Sequence, residues 1–190
     1  MGGKLFLILG PSGSGKGTIL DALRQKYSDF VFPISCTTRL KRPHEKEGEI
    51  YWFITREEFE RKIEQKEFLE YAVVHQDNYY GTLKQPIEEA LRAGKMVIRE
   101  VDVQGLRSIR NLISKENLVS IFLSVPDWET LQRRILKRSD MGVQELQHRY
   151  ASYLNEMTWE KECDHVVESV EGQPEQVIAQ VEKIIEDHSK

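Results

Sequence analysis

Apolar positions along the chain fall into two alternating kinds of run. Short, mainly apolar ones, Lys4–Leu9 (KLFLIL), Met96–Val101 and Val119–Val125, have the length and character of buried strands. Between them lie longer stretches with apolar residues every three or four positions. Ile19, Leu20 and Leu23 mark the first, followed by Gln85–Ala93, Val103–Leu112, Asp127–Arg138, Val143–Glu160 and Pro174–Asp187. These predict amphipathic helices, with Gly94 as a C-terminal stop and Asp127 as an N-cap. Phe30–Ile34 predicts one more strand and Val166–Val167 a last one. Such alternation predicts an α/β fold, a parallel sheet flanked by helices on both faces.

One region departs from the pattern. Thr37–Glu49 is polar and basic without a period and reads as a loop. After it, Tyr51–Ile54, Phe68–Val74 and Asn78–Tyr80 (followed by Gly81) read as short strands around a helix over Arg56–Gln65. This predicts a small mixed insertion rather than more of the main sheet. No internal repeat, low-complexity tract or Gly/Ser linker interrupts the chain.

Composition narrows the function classes. The 190 residues are 39% hydrophobic and 31% charged, with a net charge of −4 and a pI near 5.8. That supports a packed core and argues against nucleic-acid binding over a broad basic face. No apolar run approaches the roughly 18 residues of a membrane span. The opening MGGKLFLILG is too short in its apolar part for a secretory signal. Two cysteines, Cys36 and Cys163, make no disulfide framework, and a cytoplasmic location is expected. The five histidines show no metal-ligand spacing.

The chemistry begins in Gly10-Pro11-Ser12-Gly13-Ser14-Gly15-Lys16-Gly17-Thr18, between the first strand and the first helix. The spacing G-x-x-x-x-G-K is that of a phosphate-cradling loop. Its glycines let backbone N–H groups converge on phosphate oxygens, the helix N-terminus adds positive potential, and Lys16 can reach the β/γ-phosphates. The hydroxyl that usually follows the lysine comes one place later, at Thr18. No Asn-Lys-x-Asp guanine reader of the GTPase type is present. Further on, Arg39 and Arg42 lie three apart, followed by Tyr51 and Tyr80: two guanidiniums and two phenols suited to clamp a phosphate. Glu70, if buried in the same pocket, could accept paired N–H bonds from a guanine edge. Adenine, with an acceptor at N1, would leave that carboxylate unmatched.

Several motifs in order now resemble the guanylate kinase family of P-loop nucleoside monophosphate kinases. They are Ser35-x-Thr-Thr-Arg-x-x-Arg-x-x-Glu45, Asn78-Tyr-Tyr-Gly-Thr82, Glu100-Val-Asp-Val-Gln-Gly105 and the series Arg134, Arg138, Arg149. The resemblance runs over essentially the whole chain. It implies a P-loop kinase core at 1–34, 84–126 and 159–190, a GMP-binding flap at 35–83 and a helical lid at 127–158. It also implies Mg²⁺-dependent transfer of the ATP γ-phosphoryl group to GMP, with ATP and GMP as the partners and neither nucleic acid nor membrane. Residues 10–18 would bind ATP. Ser35, Glu70 and Thr82 would read guanine, and Arg39, Arg42, Tyr51 and Tyr80 would hold the GMP phosphate with Glu45 in support. Glu100 and Thr18 would serve Mg²⁺, partly through water, and Asp102 would sit beside the acceptor. Lys16, Arg39, Arg134, Arg138 and Arg149 would be catalytic. Two alternatives remain open at this stage: a related kinase of another phosphorylated acceptor such as a ribose bisphosphate, and a non-catalytic guanylate-kinase-like binding module.

Overall fold

The computed structural model of the protein describes residues 2–49, 51–74, 78–137 and 142–189. In chain order the elements are β1 (Leu5–Leu9), α1 (Lys16–Lys26), β2 (Ser35–Thr37), β3 (Tyr51–Phe53), α2 (Arg56–Glu64), β4 (Phe68–Val74) and β5 (Asn78–Leu83). Then come α3 (Lys84–Arg92), β6 (Val97–Glu100), α4 (Val103–Arg110), β7 (Leu118–Ser124), α5 (Trp128–Leu136), α6 (Val143–Met157), β8 (His165–Glu168) and α7 (Pro174–His188).

The short apolar runs and Val166–Val167 form a four-stranded parallel sheet in the order β6-β1-β7-β8. Strand alternation decides what each side chain meets. Leu5, Leu7 and Leu9 pack with Val97 and Phe122 under Ile87 and Leu91 of α3 and Leu106 and Ile109 of α4. Phe6 and Ile8 belong to the opposite layer, with Ile121 and Leu123, against Ile19 and Leu23 of α1 and Val177, Val181 and Ile185 of α7. All of β1 is buried, which is why it reads as a continuous apolar run and not as an alternation. Each large side chain removed from water contributes roughly 1.5–3 kcal/mol, so this sheet is the rigid base on which the loops at its strand ends are mounted.

The insertion is a second, mixed sheet in the order β3-β2-β5-β4. In it β2 runs parallel to β3 and antiparallel to β5, and β5 runs antiparallel to β4. One of its faces carries Cys36 and Phe68 onto Phe59 of α2, a small core of its own. Leu69 of β4 enters the main core instead and ties the two sheets together.

The structure corrects the expected strand Phe30–Ile34. Val31 makes only an isolated parallel bridge to Val97, and the strand forms three residues on, at Ser35–Thr37, in the other sheet. Pro33 explains the break, since it has no N–H to continue a ladder. Thr37, expected in the loop, closes β2. The expected helix to Glu160 ends at Met157, and the one from Asp127 ends at Leu136. Asp127 does cap α5, its Oδ1 accepting from the Thr130 N–H at 2.6 Å. No helix among the described residues is long and apolar enough to cross a membrane.

Candidate active site

One wall of the site grows out of the end of β1. The chain leaves Leu9 and enters α1 through the glycine loop. At Gly10, φ is +137°, and a Cβ there would lie 2.4 Å from the Leu123 carbonyl oxygen, so only glycine passes between the strands. The N-cap of α1 is Gly15, in the left-handed region, with no side-chain cap and no acidic residue in the first turn. The helix therefore leaves its first N–H groups uncapped by its own residues and its positive end open to an anion. Lys16 Nζ donates to the carbonyls of Gly10 at 2.7 Å and Pro11 at 3.1 Å, and stands 3.6 Å from Glu100 Oε1 at the end of β6. Ser14 is fully buried in the loop, and its Oγ has no hydrogen-bond partner among the described residues.

The other wall is the polar face of the second sheet. Register sets Ser35 opposite Tyr51, Thr37 opposite Tyr80, Glu70 opposite Thr82 and Ala72 opposite Tyr80. These residues share one face, while Cys36 takes the other and a bulge between Phe68 and Glu70 turns Phe68 to that other face as well. Thr82 Oγ1 donates to Glu70 Oε1 at 2.5 Å. The rings of Tyr51 and Tyr80 meet edge to face at 5.5 Å, and the Arg39 guanidinium lies 5.6 Å from the Tyr51 centroid. Arg39 in turn makes a two-pronged pair with Glu45, at 2.8 and 3.1 Å, and the Arg42 backbone N–H donates to the same carboxylate at 2.8 Å. Glu45 is buried, and the Arg39 guanidinium, aided by the Arg42 N–H, pulls its pKa down to about 2.

The two walls enclose a cleft of about 770 Å³, within the usual size of a small-molecule site. Lys16, Glu100 and Asp102 line it with the glycine loop, and Ser35, Tyr51, Glu70 and Tyr80 face them. The family model described as guanylate kinase matches residues 2–188. The chain belongs to the guanylate kinase family. The guanylate kinase of Fusobacterium nucleatum is 40% identical, covering 99% of this chain and 98% of its own length. That of Thermotoga maritima is also 40% identical, covering 94% and 86%. A crystal structure of guanylate kinase from Anaplasma phagocytophilum has the same fold, with a TM-score of 0.75 at 26% identity over 99% of this chain and 87% of that one. The activity is that of an ATP:GMP phosphotransferase, moving the γ-phosphoryl group of ATP to GMP to give ADP and GDP.

Against this guanylate kinase frame the remaining site residues divide. Asp102 lines the cleft and also caps α4, Oδ1 accepting from the Gly105 N–H at 2.7 Å, so one oxygen is engaged and the other is left for the cleft. Arg42 is exposed, with only its backbone tied to Glu45. Thr18 is exposed in the first turn of α1 and does not line the cleft. Arg149 of α6 reaches the loop, Nη1 donating to Ser12 Oγ at 3.1 Å. Arg134 of α5 is bound to Ser169, through Oγ at 2.9 Å and the carbonyl at 2.7 Å. Arg138 lies outside the described residues.

Among the cleft residues that escaped the sequence reading, Glu156 and Arg99 bear on the loop and on Glu70. Glu156 of α6 lines the cleft beside the loop. Burial raises its pKa, opposed in part by the Lys16 charge and the Ser12 backbone N–H. It lies two helical turns beyond Arg149, on the same face of α6, and that spacing was its signal. Arg99 of β6 donates to Glu70 Oε1 at 3.0 Å and Ser35 Oγ at 2.9 Å, so Glu70 is ion-paired rather than alone. A charge inside an apolar strand run is a local rule broken, and such breaks mark functional places.

Proposed function

We propose that the loop Gly10–Thr18 binds the ATP phosphates and that GMP lies against the polar face of the second sheet. The observation that supports this most is that both walls line a single cleft. In this reading 35–83 is a flap, 127–158 a lid, and 1–34, 84–126 and 159–190 the core. Ser35, Glu70 and Thr82 contact the base; Arg39, Arg42, Tyr51 and Tyr80 hold the phosphate; Glu45 orients Arg39 without touching substrate. Asp102 lies beside the acceptor phosphate.

The transfer needs no protein nucleophile, because a GMP phosphate oxygen can attack the γ-phosphorus directly while ADP leaves. What the chain supplies is alignment and charge. Lys16 sits where β/γ-phosphate oxygens would exchange for the Gly10 and Pro11 carbonyls it now holds. Arg149 meets the loop from α6, and Arg134 and Arg138 belong to the same lid series. Such positioned cations stabilise charge spread over the transferred group, and closing the cleft keeps water from competing as acceptor.

Mg²⁺ fits the donors present. Glu100 and Asp102 offer carboxylate oxygens at the cleft edge, with the Thr18 hydroxyl further off, and no group of three or more His, Cys, Asp or Glu among the described residues could hold a metal by itself. That suits an ion bound by one or two carboxylates, waters and substrate phosphates, supplying charge neutralisation of the phosphates. A reducing, cytoplasmic setting agrees with two free cysteines, Cys36 and Cys163, whose thiols burial pushes up to about 11.

A coupled ADP-release assay with Mg-ATP, offering GMP, AMP, UMP, CMP and no acceptor in parallel, tests the assignment. Turnover with GMP alone is expected. Equal rates with AMP would remove Ser35 and Glu70 from base selection.

A further inference from the structure

We infer that Arg99 is a positioning residue that sets the hydrogen-bond polarity of the base pocket, and through it the preference for guanine over adenine. The inference rests on the reading of Ser35 and Glu70 as base-facing. Val97 and Ile98 of β6 are buried in the two layers of the main core, so Arg99 is mounted on the rigid sheet. From there it makes three contacts: Nη1 to the carbonyl of Pro33, in the segment leading into β2, at 3.3 Å, and Nη2 to Ser35 Oγ and Glu70 Oε1 of the second sheet. Its side chain is only 15% exposed and lines the cleft, and its Nε is buried with no partner among the described residues. A guanidinium withdrawn from water this far is costly unless its bonds are specific.

The donor and acceptor inventory then decides what the pocket presents. Arg99 has no acceptor, so Ser35 can only accept from it and must direct its own proton elsewhere. That makes Ser35 a donor toward a ligand. Glu70 Oε1 already accepts from Thr82 and Arg99, which leaves Oε2, without a partner among the described residues, as the acceptor. A donor beside an acceptor matches guanine, which offers O6 as acceptor and N1–H as donor. Adenine offers a 6-amino donor and an N1 acceptor, and so mismatches both positions. Unpaired polar groups on both sides of the contact are what make such discrimination steep. Without Arg99, the Ser35 hydroxyl could turn to donate to Glu70 and would then accept a 6-amino group.

The test measures ATP-driven turnover of the parent, Arg99→Met, Arg99→Lys and Glu70→Gln with GMP, IMP and AMP, alongside a thermal melt of each. IMP shares O6 and N1–H with GMP. Arg99→Met is expected to raise KM for GMP and IMP in parallel by about tenfold or more, to leave KM for ATP near the parent value and to narrow the GMP:AMP ratio of kcat/KM. Arg99→Lys should recover part of this, since a single nitrogen replaces the fork whose Nη1 and Nη2 are aimed at different acceptors. A folded Arg99→Met with unchanged KM for GMP and an unchanged GMP:AMP ratio overturns the inference. Should Arg99→Met fail to fold, the same ratio for Arg99→Lys decides. A silent Glu70→Gln would instead bring down the base-pocket reading itself, whereas a large Glu70→Gln effect beside a silent Arg99→Met removes Arg99 alone.

Discussion

Glu45 shows how one buried carboxylate can order a polar loop. Two prongs from Arg39 and one from the Arg42 backbone account for its burial, and together they hold a polar segment that has no apolar period of its own. Its pKa falls from an ordinary 4.5 to about 2 in the folded chain. A depressed carboxylate binds fewer protons folded than unfolded, so its contribution is complete above about 4.5 and is lost as pH falls toward 2. In urea melts at stepped pH, the parent should therefore be more stable than Glu45→Gln at neutrality, with the gap closing across that acid window. A constant gap would mean that the pair is not what orders the loop. On the other wall, Lys16 is bonded, among the described residues, to loop carbonyls and faces Glu100, on the side assigned to ATP in the proposed reading. Lys16→Ala should lose about two orders of magnitude or more in turnover while GMP still binds in calorimetry. Loss of GMP binding would contradict this division of labour. Both residues were read from the sequence; Arg99 and Glu156 left only weak local signals there, because what each one meets comes from a distant segment.

At the scale of elements, the glycine loop works because β1 and β7 are held edge to edge. Gly10 passes under the Leu123 carbonyl of β7, whereas a Cβ on Gly17, in the first turn of α1, would meet nothing within 4 Å. The two glycines should therefore respond in opposite ways. Gly10→Ala combines a left-handed backbone with a clash against main chain and should cost about 2 kcal/mol or more. Gly17→Ala should be neutral or add up to about 1 kcal/mol, as alanine does in a helix. Denaturant midpoints of the two variants check both signs, and similar losses at the two positions would mean that the loop is not so tightly threaded. The strand misplaced over Phe30–Ile34 belongs to this scale too. Its apolar run is real and partly buried against the core, but Pro33 cannot donate to a ladder, so pairing resumes only at Ser35 and on a different sheet.

For the whole molecule, the α6 segment is the part least committed to the core. None of its residues is fully buried, and its anchors are aromatic contacts of Tyr150 and Tyr153 with Trp128, the packing of its last residue Met157 on the main core and a polar contact with the loop. Segments with few buried contacts are the ones free to open and close over a site. Arg149 joins this helix to Ser12 of the phosphate loop, and its buried Nε has no partner among the described residues. Removing it should act on the donor side and on the step of transfer. Arg149→Ala is expected to lower kcat at least tenfold, on the order of one lost charge-assisted contact, with KM for GMP shifted less than about threefold. Steady-state kinetics with each substrate varied would show it, and a selective rise in KM for GMP would move Arg149 to the acceptor side.

The sequence by itself determined the layered α/β core, because both-face burial writes mainly apolar runs and amphipathic helices that any reader can see. It also determined the phosphate loop, whose chemistry is carried by neighbours in the chain, and the family, whose motifs come in a recognisable order. Only the tertiary structure decided how the proposed base pocket is wired. The pairing of Glu70 with Arg99 and the sharing of that guanidinium with Ser35 join residues 29 and 64 positions apart, and the approach of Glu156 to the loop joins residues more than a hundred apart. Local pattern reports which face a side chain takes, but not which residue from another sheet will meet it there, since that depends on how the two sheets pack.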